Sequence, residues 1–123
     1  ILSIRPNYEE ISRVSQANGA IGIYCYTLDS LQGGTAHCRN FAPVVGILED
    51  SATGTSAAAL SCLLHHFGVL PEQDEHQLIY EQGYAINVPA ELQVHLKIQD
   101  ARVEDVQVAG KAVVVHEQDI SSI

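Results

Sequence analysis

Apolar and polar positions recur along this chain with two different periods, and the changes of period mark out its elements. Tyr8, Ile11 and Val14 fall on one helical face, Asn7 and Glu10 stand as in a capping box, and Asn18-Gly19 stops the run. These signals predict a first helix over about 7–18. Ile21-Gly22-Ile23-Tyr24-Cys25-Tyr26 is rich in β-branched and aromatic residues and predicts a strand. Gly33-Gly34 marks a turn, after which Ala36, Cys38 and Asn40 alternate with His37, Arg39 and Phe41. That alternation predicts a second strand ending at Pro43, which lacks an amide donor. Residues 56–67 are small or apolar on nearly every face until His65 and His66, the pattern of an enclosed helix, with Thr53 as N-cap, Gly68 at the C′ position and Pro71 preventing continuation. Further strands are expected over 78–81, over Leu92, Val94, Leu96 and Ile98 in alternation with polar residues, and over 103–108 and 112–115, with Gly110-Lys111 as the hairpin turn between the last two.

The fold class read from this order is α+β, with one buried helix surrounded by antiparallel strands and a second helix outside. At 123 residues, 46% apolar and 17% charged, the chain is expected to form a single domain over 1–123. A net charge of −9, with Arg5, Arg13, Arg39, Lys97, Arg102 and Lys111 scattered, excludes a nucleic-acid or anionic-membrane surface and leaves a small molecule or a protein as partner. Cys25, Cys38 and Cys62 have no CxxC spacing and an odd count, which fits free thiols in a reducing cytoplasm. No apolar run reaches the roughly 20 residues of a membrane span, and no signal-peptide pattern opens the chain, so a soluble protein is expected. The chain contains no Met and begins Ile1-Leu2-Ser3-Ile4-Arg5, which leaves open a fragment, a proteolytic product or an unusual gene boundary.

The chemistry concentrates in Glu49-Asp50-Ser51-Ala52-Thr53-Gly54-Thr55. Two carboxylates precede a helix whose first amides lack intrahelical acceptors, and such amides form an anion site. Gly54 leaves the backbone open to a ligand, Thr55 adds a hydroxyl donor, and Asp50 stands where it can take or give a proton or bind an amine. The structural alternative is a plain cap, since acidic residues before a helix commonly favour its dipole.

Three stretches together, Arg39-Asn40-Phe41-Ala42-Pro43, Gly46-Ile47 and the run from Glu49 to Ala57, resemble the PhzF family pattern R-x-F-A-P…G-I-x-E-D-P-A-T-G-S-A-A. Gln82-Gly83 and Pro89, then Val108-Ala109-Gly110-Lys111-Ala112-Val113, are similar to its later Q-G…G-R-P-S and V-x-G-x-A-V segments. The resemblance covers nearly the whole chain but only the second half of the family's two-domain protein. It implies a diaminopimelate-epimerase-like half, an antiparallel β-barrel-like sheet wrapped around a central helix with an outer helix, and an active site in the cleft between two such halves. It further implies a cofactor-free isomerase or epimerase in which Asp50 and Thr55 are catalytic, and Thr53, Gly54 and Thr55 bind a small carboxylate or amino-acid-like substrate. The family's catalytic Glu and a substrate-contacting His come from the first domain and have no match here, so this half alone is expected to be inactive. Ser51 replaces the family's proline, Thr55 its serine, and Asn87, Val88 and Ala90 stand at its usual Gly, Arg and Ser. These departures remove a cation and a hydroxyl from the substrate side.

The other candidates have bland readings. His65-His66 suits a helix C-terminus, and no companion ligands at metal spacing accompany it, so no metal is expected. Cys62 reads as a small core residue, and 50–54 lacks the thiol of diaminopimelate epimerases proper. His37 and His95 are expected to point to solvent, and Glu72-Gln73-Asp74-Glu75 reads as a surface loop. The alternative function is a stand-alone, non-catalytic module that binds a small carboxylate or nothing, with two chains pairing through the cleft-facing surface.

Overall fold

The computed structural model describes residues 1–120 and contains two α-helices and six strands. Helix α1 spans Tyr8–Ala17, and its first turn is closed by Asn7, whose side-chain oxygen accepts the Glu10 N–H at 3.1 Å. Strands β1 (Ile23–Thr27), β2 (Ala36–Ala42) and β3 (Ile47–Asp50) follow, then α2 (Gly54–His66), β4 (Glu75–Gln82), β5 (Ala90–Gln99) and β6 (Arg102–Gly110). Pro43 ends β2 as its missing donor requires, opening a 3₁₀ turn over Pro43–Val45.

All six strands form one sheet in the order β1-β2-β4-β5-β6. β2 pairs with β1 along one edge, while its other edge is shared between β4, against Ala36 to Cys38, and β3, against Asn40 and Ala42. The sheet is mixed, correcting the expectation of a purely antiparallel one, because β2 and β4 are parallel. The cause is the helix between them: a parallel pair needs a long crossover, and α2 supplies it.

α2 packs against β5 and β6 and sets Ala57, Leu60 and Leu64 into a core with Ala36, Cys38, Leu78, Tyr80, Leu92 and Val94. Ser61 is fully buried there, donating to the Ala57 carbonyl at 2.9 Å and sharing a 2.8 Å hydrogen bond with the Tyr80 hydroxyl. Only one face of α2 is enclosed, whereas its sequence predicted burial all round. Leu63 and Phe67 are exposed.

Two further corrections concern the last strands. β6 continues to Gly110, and residues 111–120 form no strand. The hairpin lies instead at Asp100-Ala101, both with positive φ (50° and 62°), between the paired Gln99 and Arg102. A two-residue hairpin loop of this kind requires positive φ at both central positions, and glycine is the usual signal for it. The glycine at 110 pointed to the wrong place. Glu75 likewise belongs to β4 and not to the preceding loop.

On the sheet face opposite α2, α1 lies over β2, with Tyr8 edge-on to Phe41. Arg39 is buried on this face with Glu49, joined by two hydrogen bonds of 2.9 and 2.8 Å, and also donates to the carbonyls of Ile1 and Ile4. His37, expected at the surface, is 1% exposed, because β4 pairs alongside it and Tyr84 closes over its ring. Burial lowers its pKa, opposed by Glu81. His95 is half-buried, with Nε2 3.5 Å from Glu75.

Glu81, directly opposite His37, fastens the β1–β2 connection. Its carboxylate accepts the N–H groups of Leu31, Gln32 and Gly34 at 2.5, 2.7 and 3.1 Å. Burial pushes this carboxyl up, but the three backbone donors outweigh that and hold it below the ordinary glutamate value. A lowered folded pKa means that the stability it supplies is complete above the unfolded value and is lost as pH falls through the folded one. Glu81→Gln is therefore expected to lose about 1.5–3 kcal/mol at neutral pH, as for hydrogen bonds to a charged group. Urea unfolding across the acid range should show the difference between the two proteins closing as pH falls.

Candidate active site at the start of α2

The sequence between β3 and α2 folds into a tight turn whose hydrogen bonds come largely from one distant residue. β3 pairs Asp50 with Asn40 of β2, which fixes the carboxylate at the head of α2. Thr53 occupies the N-cap position but does not cap: its hydroxyl donates to Asp50 Oδ2 at 2.7 Å instead. The N–H groups of Gly54, Thr55 and Ser56 consequently have no acceptor among the described residues, the first intrahelical bond in this turn being Ala57 N–H to the Thr53 carbonyl at 3.1 Å. An uncapped helix start beside a carboxylate offers oriented donors and the positive end of the helix dipole to an anion.

Gln82, at the end of β4, carries the turn. Alternation along β4 places it on the α2 face with Leu78 and Tyr80, and it is fully buried. Its Nε2 donates to the Asp50 carbonyl at 2.8 Å and to Thr53 Oγ1 at 2.9 Å; its Oε1 accepts the Thr53 N–H at 3.3 Å and the Tyr24 hydroxyl at 3.0 Å. Both ends of the amide are used, which fixes its orientation. Gly83 follows with φ +83°, and a Cβ there would stand 2.1 Å from the Val88 carbonyl oxygen and 2.9 Å from that of Ser51. Only glycine lets β4 pass so close under the turn. Burial, followed by the neighbouring Cys38, drives the Tyr24 pKa far above the ordinary tyrosine value, so its hydroxyl stays a neutral donor.

The residues singled out from sequence lie together at this turn, but of them only Thr53 and Thr55 line the pocket that opens there. Asp50 and Thr53 are half-buried and hydrogen-bonded to each other, and Thr55 is exposed at the mouth of the site. Gly54 is expected to clear space for a ligand, and a Cβ built on it meets Val108 of β6 at 3.3 Å, so packing against the sheet also disfavours a side chain there. A pocket of about 290 Å³ opens at this helix start, lined by Thr53, Thr55 and Ser56 together with Tyr24, Asn40 and Ala42 from β1 and β2. Asn40 and Gln82 fall in the stretches that carry the family resemblance and Tyr24 lies outside them, but none of the three is singled out from sequence as a site residue. For Gln82 the parity of β4 was a usable signal, a polar side chain on the same face as Leu78 and Tyr80.

A larger open cleft, about 890 Å³, lies at the other end of α2, lined by His65, His66 and Cys62 with loop 70–74 and the β5–β6 hairpin. It is remote from Asp50, and His65 Nε2 lies 3.3 Å from the Ala101 carbonyl. Among the described residues no group of three or more His, Cys, Asp or Glu side chains is placed to hold a metal. Cys62 is half-buried at the edge of this cleft and not within the core, and all three cysteines are free. No helix among these residues is long and apolar enough to cross a membrane.

Residues 1–118 match the family model of the phenazine biosynthesis-like proteins, PhzC-PhzF. The chain is 38% identical over 116 residues to an uncharacterized isomerase of Deinococcus radiodurans, covering 93% of this chain and 37% of that protein. A second uncharacterized isomerase, from Clostridium acetobutylicum, is 29% identical over 119 residues, covering 95% of this chain and 39% of that one. The chain thus spans under two-fifths of the length of these relatives. Its fold is similar to the crystal structure of a PhzF-family phenazine biosynthesis protein from Bacillus anthracis, with a TM-score of 0.71 at 23% identity, over 87% of this chain and 36% of that one.

Proposed function

This chain belongs to the phenazine biosynthesis-like (PhzC-PhzF) family, and from that premise we propose that it supplies one half of a cofactor-free isomerase site built around Asp50 and the start of α2. One observation carries the reading: the N-cap hydroxyl of Thr53 is turned onto Asp50, leaving the N–H groups of Gly54, Thr55 and Ser56 beside that carboxylate without an acceptor among the described residues. A helix that served only structure would gain stability by using the Thr53 hydroxyl as its cap.

In this reading the free amides and the Thr55 hydroxyl hold the substrate's carboxylate or an oxygen that gains charge as a proton leaves carbon, which favours the transition state over the ground state. Asp50 moves a proton or holds an amine, with Thr53 keeping its carboxylate oriented. The second acid or base comes from outside this chain, from the half that completes the site in a diaminopimelate-epimerase-like arrangement. The unpaired amides call for a carboxylic or amino acid, and a small one, since the pocket of about 290 Å³ lies just below the roughly 300–1,000 Å³ typical of ligand sites.

The binding half of the proposal is testable on this chain. Titration with small carboxylic acids is expected to shift the backbone amide resonances of Gly54, Thr55 and Ser56 and to raise the melting temperature as the acid concentration passes its Kd. Amide resonances that do not respond, with responses elsewhere or nowhere, would remove the anion site.

A further inference from the structure

We propose that Asn40 is a specificity-determining residue of this site, selecting a carboxylate that bears a second, neutral hydrogen-bonding group such as a hydroxyl over one that does not. The inference rests on the anion-site reading above and adds the chemistry of the ligand's other end.

Asn40 lies at the centre of β2, paired across the sheet with Tyr24 on one side and Asp50 on the other. Strand parity puts it on the α2 face with Ala36, Cys38 and Ala42, and it lines the pocket at the start of α2. It is only 8% exposed. Two neighbouring polar side chains are committed within the turn: Gln82 to Asp50, Thr53 and Tyr24, and Thr53 to Asp50. The Asn40 amide takes no part in this network, and among the described residues it has no hydrogen-bond partner. Its atoms are not among the polar atoms enclosed without a partner, so they are reached from the pocket, and a ligand that covers them must match the hydrogen bonds they make to water.

The amide offers a carbonyl acceptor and an NH₂ donor, so it pairs best with a group that can both donate and accept, as a hydroxyl does. Being neutral, it gives no electrostatic preference for a second charge. A ligand whose carboxylate sits on the free N–H groups of Gly54 to Ser56 thus meets a second polar contact across a small pocket. An apolar group in that place would leave the amide buried and unpaired, the condition that makes polar sites discriminate strongly.

The test compares matched acids: lactate against propionate, and 3-hydroxybutyrate against butyrate, each titrated into the chain and followed at the Gly54, Thr55 and Ser56 amides. At least one hydroxy acid is expected to bind roughly two- to tenfold more tightly than its unsubstituted partner, the worth of one net hydrogen bond. Asn40→Leu should reduce that ratio to near one while the unsubstituted acid still shifts the same amides. Asn40→Asp, close in shape and a safeguard if the leucine variant unfolds, should weaken every acid by placing a carboxylate beside the bound one. Equal binding of both members of each pair by the unmodified chain, with the amide shifts intact, overturns the role of Asn40 and leaves the anion site standing; so does a preference that survives Asn40→Leu. Amides that respond to none of the four acids overturn the anion site and this inference with it.

Discussion

Replacing Arg39 by methionine is expected to lower the unfolding free energy by about 3–5 kcal/mol, the usual result of removing one member of a buried ion pair and leaving the other charge unpaired. The side chains of Arg39 and Glu49 are 6% and 5% exposed, and two hydrogen bonds join them. The Glu49 carboxylate raises the Arg39 pKa despite burial, so the guanidinium stays charged. Its remaining donors hold the Ile1 and Ile4 carbonyls, and its plane lies over the Phe41 ring at 4.9 Å. One substitution therefore loosens the chain start, the α1 side of the sheet and β3 together. Against a typical total stability of about 5–15 kcal/mol, the loss should be plain as a lower urea midpoint. The double variant Arg39→Met with Glu49→Leu separates the penalty of an orphaned charge from the worth of the pair. It is expected to recover much of the stability, since apolar replacements of buried pairs are often neutral or better. A loss under about 1 kcal/mol in the single variant would place the pair with exposed salt bridges.

The parts of this fold that could be read from sequence are those whose signals are local. Asn7 and Glu10 set the start of α1 within a residue, Pro43 ended β2 where its missing donor demands, and Gly68 sits after α2 with φ +66°. Misreadings arose where the deciding contact is distant. Residues 112–115 carry strand-like composition, yet no strand pairs with them, and composition alone does not make a ladder. His37 alternates as an outward residue should, but the parallel partner β4 and Tyr84 cover that face, and neither is visible in the spacing around 37. The site divides in the same way. Asp50, Thr53, Gly54 and Thr55 lie in one short run, whereas Tyr24 and Asn40 line the pocket from β1 and β2 and Gln82 holds the turn from β4.

That dependence on a distant strand makes Gln82 the position at which stability and site geometry should fail together. Gln82→Leu keeps the approximate volume and removes every hydrogen bond the amide makes, leaving the Thr53 N–H, the Asp50 carbonyl and the Tyr24 hydroxyl without their partner. At about 1–3 kcal/mol for each buried group left unsatisfied, with some regaining water near the pocket mouth, a loss of about 2–5 kcal/mol is expected. Freed from the amide, Thr53 Oγ1 loses one of its two partners and can rotate from Asp50 to cap α2, which would fill the anion site from within. The Gly54, Thr55 and Ser56 amides should then respond to small acids only at more than tenfold higher concentration, even where the variant is fully folded. Gln82→Glu still accepts from Thr53 N–H and Tyr24 O–H, but it buries a carboxylate against the Asp50 carbonyl, so it is expected to lose stability as well as the acid response. If both variants unfold more easily yet bind acids as the unmodified chain does, Gln82 supports the fold alone, and the turn keeps its geometry by other means.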